Sequence, residues 1–227
     1  REIFLLFTKI LNINLHLTNI LQLWILPINN DKKLVSNYEK YLSRNLSPKR
    51  SQEFIYTRGC IREVLSEHLD IKPLNVPLDA PPGRPPKLKN GLGNITFSHC
   101  RDALFIGWSD VNIGVDIERK DRNLRSVSLI KRFYCEEEKK ELENLDKVFQ
   151  SEKALKYWIL KEAAIKWQKG SISRDLSNWL VKEKQNNIYH KKLGVLLNTE
   201  FKNYSLWSLG LVHKSNDIEI RPLIKLI

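Results

Sequence analysis

Two rhythms of apolar residues run along this chain, and the places where one gives way to the other mark its elements. Leu21–Ile28 is a short apolar run carrying Pro27 near its end, which predicts a buried strand. Asp31–Leu42 has helical spacing. Ser47-Pro48 then supplies a helix start, serine as N-cap and proline in the first turn, and predicts a helix to about Leu69. Six of the nine prolines fall within Pro73–Pro86, an irregular stretch that is either a linker or a ligand-contacting loop. Ile95–Ser98 and Ala103–Ser109 read as strands, and Asp110-Val111-Asn112 turns the chain into a third, Ile113–Glu118. Arg122–Tyr134 and Glu136–Leu145 read as helices. A longer helix, Ser151–Lys169, stops at Gly170, and the tail holds two or three strands, the clearest being Tyr204–His213. The fold class this predicts is α+β.

Against that pattern, certain charges stand on the wrong faces. Along Ile113–Glu118 the two-residue period sends Ile113, Val115 and Ile117 one way and Gly114, Asp116 and Glu118 the other. Carboxylates at i and i+2 lie ~7 Å apart on one face, close enough to share a cation. Gly114 is expected to leave room for a ligand near the backbone. Alone, the strand would read as the solvated edge of an amphipathic element.

The helix from Ser151 changes that reading. Leu155, Trp158, Ile159 and Ala163 define its apolar arc, and Glu162 and Lys166 fall inside it. Burying such a pair is costly unless each charge has further partners. A metal ion for Glu162 and a phosphate for Lys166 would supply them. Arg58 repeats the anomaly within the stripe Phe54, Ile61, Leu65 and Leu69. It is either a snorkelling side chain or a phosphate ligand, since a guanidinium binds phosphate bidentately. Ser98-His99 puts a hydroxyl and an imidazole at a strand end, but no third residue completes a nucleophilic triad. The acid-rich run Glu136–Glu143 reads as a solvated helix face.

Composition narrows the partners. Lys+Arg number 38 against Asp+Glu 26, a net charge of +12, which favours anionic partners without choosing among nucleic acid, a phosphorylated cofactor or an acidic protein. The three cysteines, Cys60, Cys100 and Cys135, form no metal or disulfide framework, and a cytoplasmic setting is expected. No uncharged run reaches the ~18–20 residues a membrane span requires. The sequence contains no methionine, so its natural start is expected to be missing, and residues 1–20 are set aside as an extension of unknown role.

Four motifs in order make the sequence similar to the 4′-phosphopantetheinyl transferases of the Sfp type, within the holo-[acyl-carrier-protein] synthase superfamily. Ile113–Glu118 matches the family's (I/V)-G-(I/V)-D-x-E strand, and Trp158–Lys166 its W-x-x-K-E-(A/S)-x-x-K helix. Phe97-Ser98-His99-Cys100 resembles the (L/F)-S-H-S segment, with Cys100 where serine is common, and Gly83-Arg84-Pro85 resembles the G-(K/R)-P loop. The resemblance implies a pseudo-dimer of two similar α/β halves in one chain, residues 21–111 and 112–227, with the active site at their interface. It implies that Asp116, Glu118 and Glu162 bind Mg2+, and that Lys166 and His99 contact the pyrophosphate of coenzyme A. Arg58, Arg84 and Ser98 would then hold the adenosine 3′-phosphate end.

The implied reaction moves 4′-phosphopantetheine from coenzyme A to a serine of an acidic acyl or peptidyl carrier protein, as in fatty acid, polyketide or nonribosomal peptide biosynthesis, releasing adenosine 3′,5′-bisphosphate. Asp116, Glu162 and Lys166 would be the catalytic residues, with either Glu162 or a metal-bound water as base. The implied protein is a monomer that needs no nucleic acid or membrane. Two rival readings remain: another Mg2+-dependent phosphotransferase or hydrolase, and a basic nucleic-acid-binding module, although no basic stripe with stacking aromatics at strand spacing supports the latter.

Overall fold

The computed structural model describes residues 19–29, 31–122, 126–214 and 218–222, so the expectations for residues 1–18 and for residues 123–125 of the expected Arg122–Tyr134 helix lie outside the described residues. The chain opens with β1 (Asn19–Pro27), α1 (Asn37–Ser43) and α2 (Pro48–Leu69). A single 3₁₀ turn and the short strands β2 (Leu78–Asp79) and β3 (Lys87–Leu88) follow, then β4 (Asn94–His99) and β5 (Ala103–Ser109). The second part runs β6 (Ile113–Arg119), α3 (Ser126–Phe133), α4 (Glu136–Glu143), α5 (Lys147–Gln168) and the one-turn α6 (Ile172–Asp175). Strands β7 (Trp179–Lys182), β8 (Asn187–His190), β9 (Val195–Tyr204), β10 (Trp207–His213) and β11 (Ile218–Pro222) complete it. The mixture of helix and sheet is α+β.

Two sheets carry the fold, ordered β11-β1-β5-β4 and β6-β10-β9-β8-β7. In each, the opening strand lies antiparallel to the last strand of a closing hairpin: β1 against β5 with β4 beyond, β6 against β10 with β9 beyond. Near the end of the chain, β11 returns to the first sheet and runs parallel to β1.

The period-2 pattern of each strand sorts its side chains into different cores. On β5, Leu104 and Ile106 pack with Ile61, Leu65 and their neighbours on α2, whereas Ala103 and Phe105 face the second sheet. Ile113, Val115 and Ile117 meet them there, as their alternation predicts. Ile159, Leu160 and Ala163 of α5 cover the opposite face of the second sheet. The layers are therefore α2, first sheet, second sheet, α5. Fully burying a Leu or Ile is worth about 1.5–3 kcal/mol, so these three cores hold the stack together.

Several boundaries differ from expectation. α1 begins only at Asn37, where Ser36 and Glu39 form a capping box. α5 begins four residues before Ser151, and Lys169 rather than Gly170 takes the left-handed position at its end (φ 57°). Tyr204–His213 is not one strand: Ser205, at φ 48°, turns the chain between β9 and β10.

Gly114 has a different role from the one its motif suggested. A Cβ there would lie 2.0 Å from the Ala163 carbonyl oxygen and 2.8 Å from the Trp167 nitrogen. The space beside Gly114 is filled by the backbone of α5, not by a ligand. Gly210, opposite Asp116 on β10, is crowded by Ile159 in the same way. Gly114→Ala must push a helix off the sheet, and overpacking of this kind costs about 1–3 kcal/mol. Urea denaturation should show a lower midpoint for the variant, and an unchanged midpoint would contradict the contact.

Candidate active site

The face of β6 that carries Gly114 also carries Asp116, and α5, seated against it, brings Glu162 and Lys166 alongside. Asp116 is buried at 1% exposure. Its Oδ1 accepts hydrogen bonds from the Ser98 hydroxyl at 2.6 Å and the Lys166 ammonium at 2.7 Å, while its Oδ2 is buried with no hydrogen-bond partner among the described residues. The Ser98 bond joins the edge strands of the two sheets.

Glu162 is half-buried beside it, and its pKa is pushed up to about 7. Loss of water is the main cause and the Asp116 charge the second; Lys166, Arg122 and Trp158 pull the other way. The indole of Trp158, one turn earlier, is near enough to favour the ionised carboxylate, yet its buried Nε1 makes no hydrogen bond of good geometry.

Around this centre lies a cleft of about 860 Å³. Arg84 enters it from the loop above, Phe97 and Thr96 from β4, Glu162 and Lys166 from α5, and Phe133 from α3. Glu118 is half-buried at the far end of β6 and ion-paired with Arg122. His99 is exposed at the end of β4, but the atoms crowding its ring lower its pKa by removing water; Glu53 counters this, and the cations Lys166 and Arg58 reinforce it. Arg58 does not line the cleft. It lies between the rings of Phe54 (4.3 Å) and Phe97 (4.8 Å), with Nε donating to the Ala80 carbonyl at 2.9 Å. Burial lowers its pKa to about 10, and no carboxylate pairs with it among the described residues.

The donor set suits a hard divalent cation. Asp116 and Glu162 are neighbouring carboxylates, one with a buried oxygen left over, and loss of water followed by the Asp116 charge raises the pKa of Glu162. As the side chains stand, no three His, Cys, Asp or Glu among the described residues are gathered to bind an ion. Glu118 turns to Arg122, and the ammonium of Lys166 sits against Asp116 where a cation would go. Asp116 and Glu162 could hold the ion once Lys166 swings toward a phosphate; Glu118 would first have to leave Arg122.

Other functional contacts had no reading in the sequence. Asn112 donates to the Trp167 carbonyl at 2.8 Å and accepts from the Trp167 indole at 3.1 Å, fastening the start of β6 to the end of α5. Lys161, next to Glu162, is completely buried and ion-paired with Glu138, so the Glu136–Glu143 run is not wholly a solvated face. Glu138 also accepts from the backbone N–H groups of Cys135 and Val181. A signal existed: Lys161 stands between Leu160 and Glu162 on a helix with apolar residues all round, and Glu138 is three residues from the helix start.

Comparison with known proteins agrees with this geometry at the level of class. Residues 112–219 match the family described as the 4'-phosphopantetheinyl transferase superfamily. A Synechocystis sp. protein named "Putative 4'-phosphopantetheinyl transferase" is 27% identical over 168 residues, covering 69% of this chain and 68% of its own.

The raised Glu162 pKa has a consequence for stability. Its folded value of about 7 exceeds the ordinary 4.5, so the protonated carboxyl stabilises the fold fully below about 4.5 and that contribution is lost as pH rises through about 7. In chelator-treated protein, Glu162→Gln should flatten the decline in stability across this window. Denaturation curves that fall in parallel for parent and variant would contradict it.

Proposed function

We propose that this protein transfers 4′-phosphopantetheine from coenzyme A to a serine of an acyl or peptidyl carrier protein in a magnesium-dependent reaction. The observation that carries the reading is the under-satisfied Asp116 beside Glu162 and Lys166, which line one cleft together with Arg84. The repeated strand order of the two sheets supports a pseudo-dimer divided near Val111–Asn112, with β11 crossing back.

When bound, Mg2+ would neutralise diphosphate charge and favour departure of the leaving group, the principal demand of phosphoryl transfer. Asp116, Glu162 and, after release from Arg122, Glu118 would hold it. Lys166 would exchange Asp116 for a diphosphate oxygen. Arg84 would bind the adenosine 3′-phosphate end, with Arg58 packed on Phe97 behind it, and His99, which does not line the cleft as the side chains stand, would have to turn toward it to donate to phosphate. The carrier serine oxygen bonds to the phosphorus bearing pantetheine, and the bond from that phosphorus to the bridging oxygen breaks. Adenosine 3′,5′-bisphosphate leaves with the electron pair. Glu162 would be the chain's own base for the serine proton.

Incubation with coenzyme A, Mg2+ and an apo carrier should add the mass of phosphopantetheine to the carrier. Asp116→Asn and Glu162→Gln should each lower turnover by at least about a hundredfold. Absence of any mass gain across acyl and peptidyl carriers would refute the reading, and hydrolysis of other diphosphates instead would favour a different phosphotransferase.

A second test concerns the carrier surface on α3. Lys131 and Arg132 are exposed there beside Val127, which is 71% exposed. Arg132 also lies over Phe133, whose ring enters the cleft, so the surface is continuous with the site. Charge complementarity at such a rim acts chiefly on association rate and weakens with salt. Lys131→Glu with Arg132→Glu should raise KM for the carrier severalfold and leave coenzyme A affinity unchanged. Carrier kinetics equal to the parent at low salt would refute this docking face.

A further inference from the structure

The loop that carries Arg84 is short of hydrogen-bond donors. Pro73, Pro77, Pro81, Pro82, Pro85 and Pro86 offer no N–H, so beyond local bonds such as Leu78 N–H to Val76 and Arg84 N–H to Pro81 its carbonyls depend on donors from elsewhere. Two arginines one turn apart on α2 provide them. Arg58 donates to the Ala80 carbonyl at 2.9 Å, and Arg62 donates through one nitrogen to the carbonyls of Pro73 (3.0 Å) and Val76 (2.9 Å).

Arg62 is itself held rigidly. Its Nε donates to both oxygens of Glu39, at 2.8 and 3.1 Å, and the side chains of both residues are almost wholly buried, at 4% and 5% exposure. Glu39 is in turn fixed by the capping box of α1, accepting from the Ser36 N–H at 2.8 Å and its hydroxyl at 2.9 Å. Beyond Val76 the chain passes directly into the β2–β3 ladder, Leu78 opposite Leu88 and Asp79 opposite Lys87, and the loop closed by that ladder holds Gly83, Arg84 and Pro85 at the cleft. A buried ion pair adds little net stability because desolvation offsets its attraction, and its alternative use is to specify one conformation.

We propose that Arg62, clamped by Glu39, is a positioning residue: it presets the proline loop so that Arg84 meets the anionic end of the substrate in the cleft. The inference rests on the coenzyme A reading above for the identity of that substrate, but not for the state of the loop. A preset loop removes an ordering cost from binding, so its loss should weaken the ground-state complex without touching the reacting atoms.

The test uses two variants of the full chain. Arg62→Lys keeps the charge near Glu39 but cannot hold Glu39 and the two carbonyls from separate nitrogens at once. Glu39→Met with Arg62→Met removes both charges together and leaves no unpaired ion if the single variant fails to fold. Hydrogen exchange should accelerate in residues 73–88 and stay as in the parent across β9 and β10. KM for coenzyme A, and its dissociation constant by calorimetry, should rise roughly tenfold, about the cost of ordering one or two side chains on binding, with kcat and carrier KM unchanged. A residue that only supported the fold would speed exchange everywhere or lower kcat. Parent-like exchange in residues 73–88 would overturn the positioning role, as would parent-like coenzyme A affinity in both variants. If the parent itself binds no coenzyme A, the functional reading fails and the exchange measurement alone decides whether Arg62 sets the loop.

Discussion

The contact on which the site depends is the one between a backbone and a backbone, where α5 lies on β6 at Gly114. No side chain fits there: the Ala163 carbonyl occupies the position a Cβ would take. Glu162 and Lys166 flank that point on the helix, and Asp116 lies two residues along the strand. The register of helix on strand therefore sets which charges meet. Reciprocal hydrogen bonds between Asn112 and Trp167 keep the helix from sliding, and Gly210 admits Ile159 on the neighbouring strand. The two motifs are the two sides of one close contact, which explains why glycine is needed in the first and a small residue, Ala163, in the second.

The buried charges divide by how well they are satisfied. Glu138 accepts from an ammonium and two backbone N–H groups, and Glu39 from a guanidinium and a capping serine. These are complete networks, and they fasten α4 to α5 and α1 to α2. Asp116 is different: one oxygen is oversupplied and the other has nothing. A buried unsatisfied carboxylate oxygen costs about 1–3 kcal/mol, a strain that folding alone gives no reason to keep. Incomplete satisfaction, more than burial, separates the site from the scaffold.

How much of this was legible follows from the kind of signal each feature leaves. Alternation along Ile113–Glu118 and Ala103–Ser109 gave the strands and their faces, because a period of two survives in the letters. Glu162, Lys166 and Arg58 were visible as charges on apolar arcs. The meaning of Gly114 was not, since a glycine admits a helix or a ligand equally and only the partner element decides. Lys161 escaped notice because α5 is covered nearly all round, so no single arc marks its position as anomalous. Glu138 was hidden among four other acids in the same run. The turn at Ser205 was obscured because its flanks, Tyr204 and Leu206, continue the apolar tone of the strands. The pairing of β11 with β1 lies beyond any local pattern, being a contact between the two ends of the described chain.

The arrangement of charge across the cleft constrains what can occupy it. Its cationic walls are Arg84, Lys87, Lys166 and Lys169; Glu162 is the acid among the lining residues, and the buried Asp116 beside it adds charge to that floor without lining the cleft. A cationic wall attracts phosphate, but an anionic floor in a half-buried site repels it, and repulsion is strongest where water is excluded. Loss of water and, second, the Asp116 charge already raise the Glu162 pKa, so repulsion is present before any anion arrives. Protonation would relieve it at low pH, and a bridging cation would relieve it near neutrality while also drawing a diphosphate down to the floor. Lys166 can do part of this alone, yet it cannot neutralise Asp116 and bind phosphate at the same time. On the proposed function the cleft would take two species together, an anion along the walls and a small cation beneath it, the pairing that the transfer of a diphosphate-linked group requires.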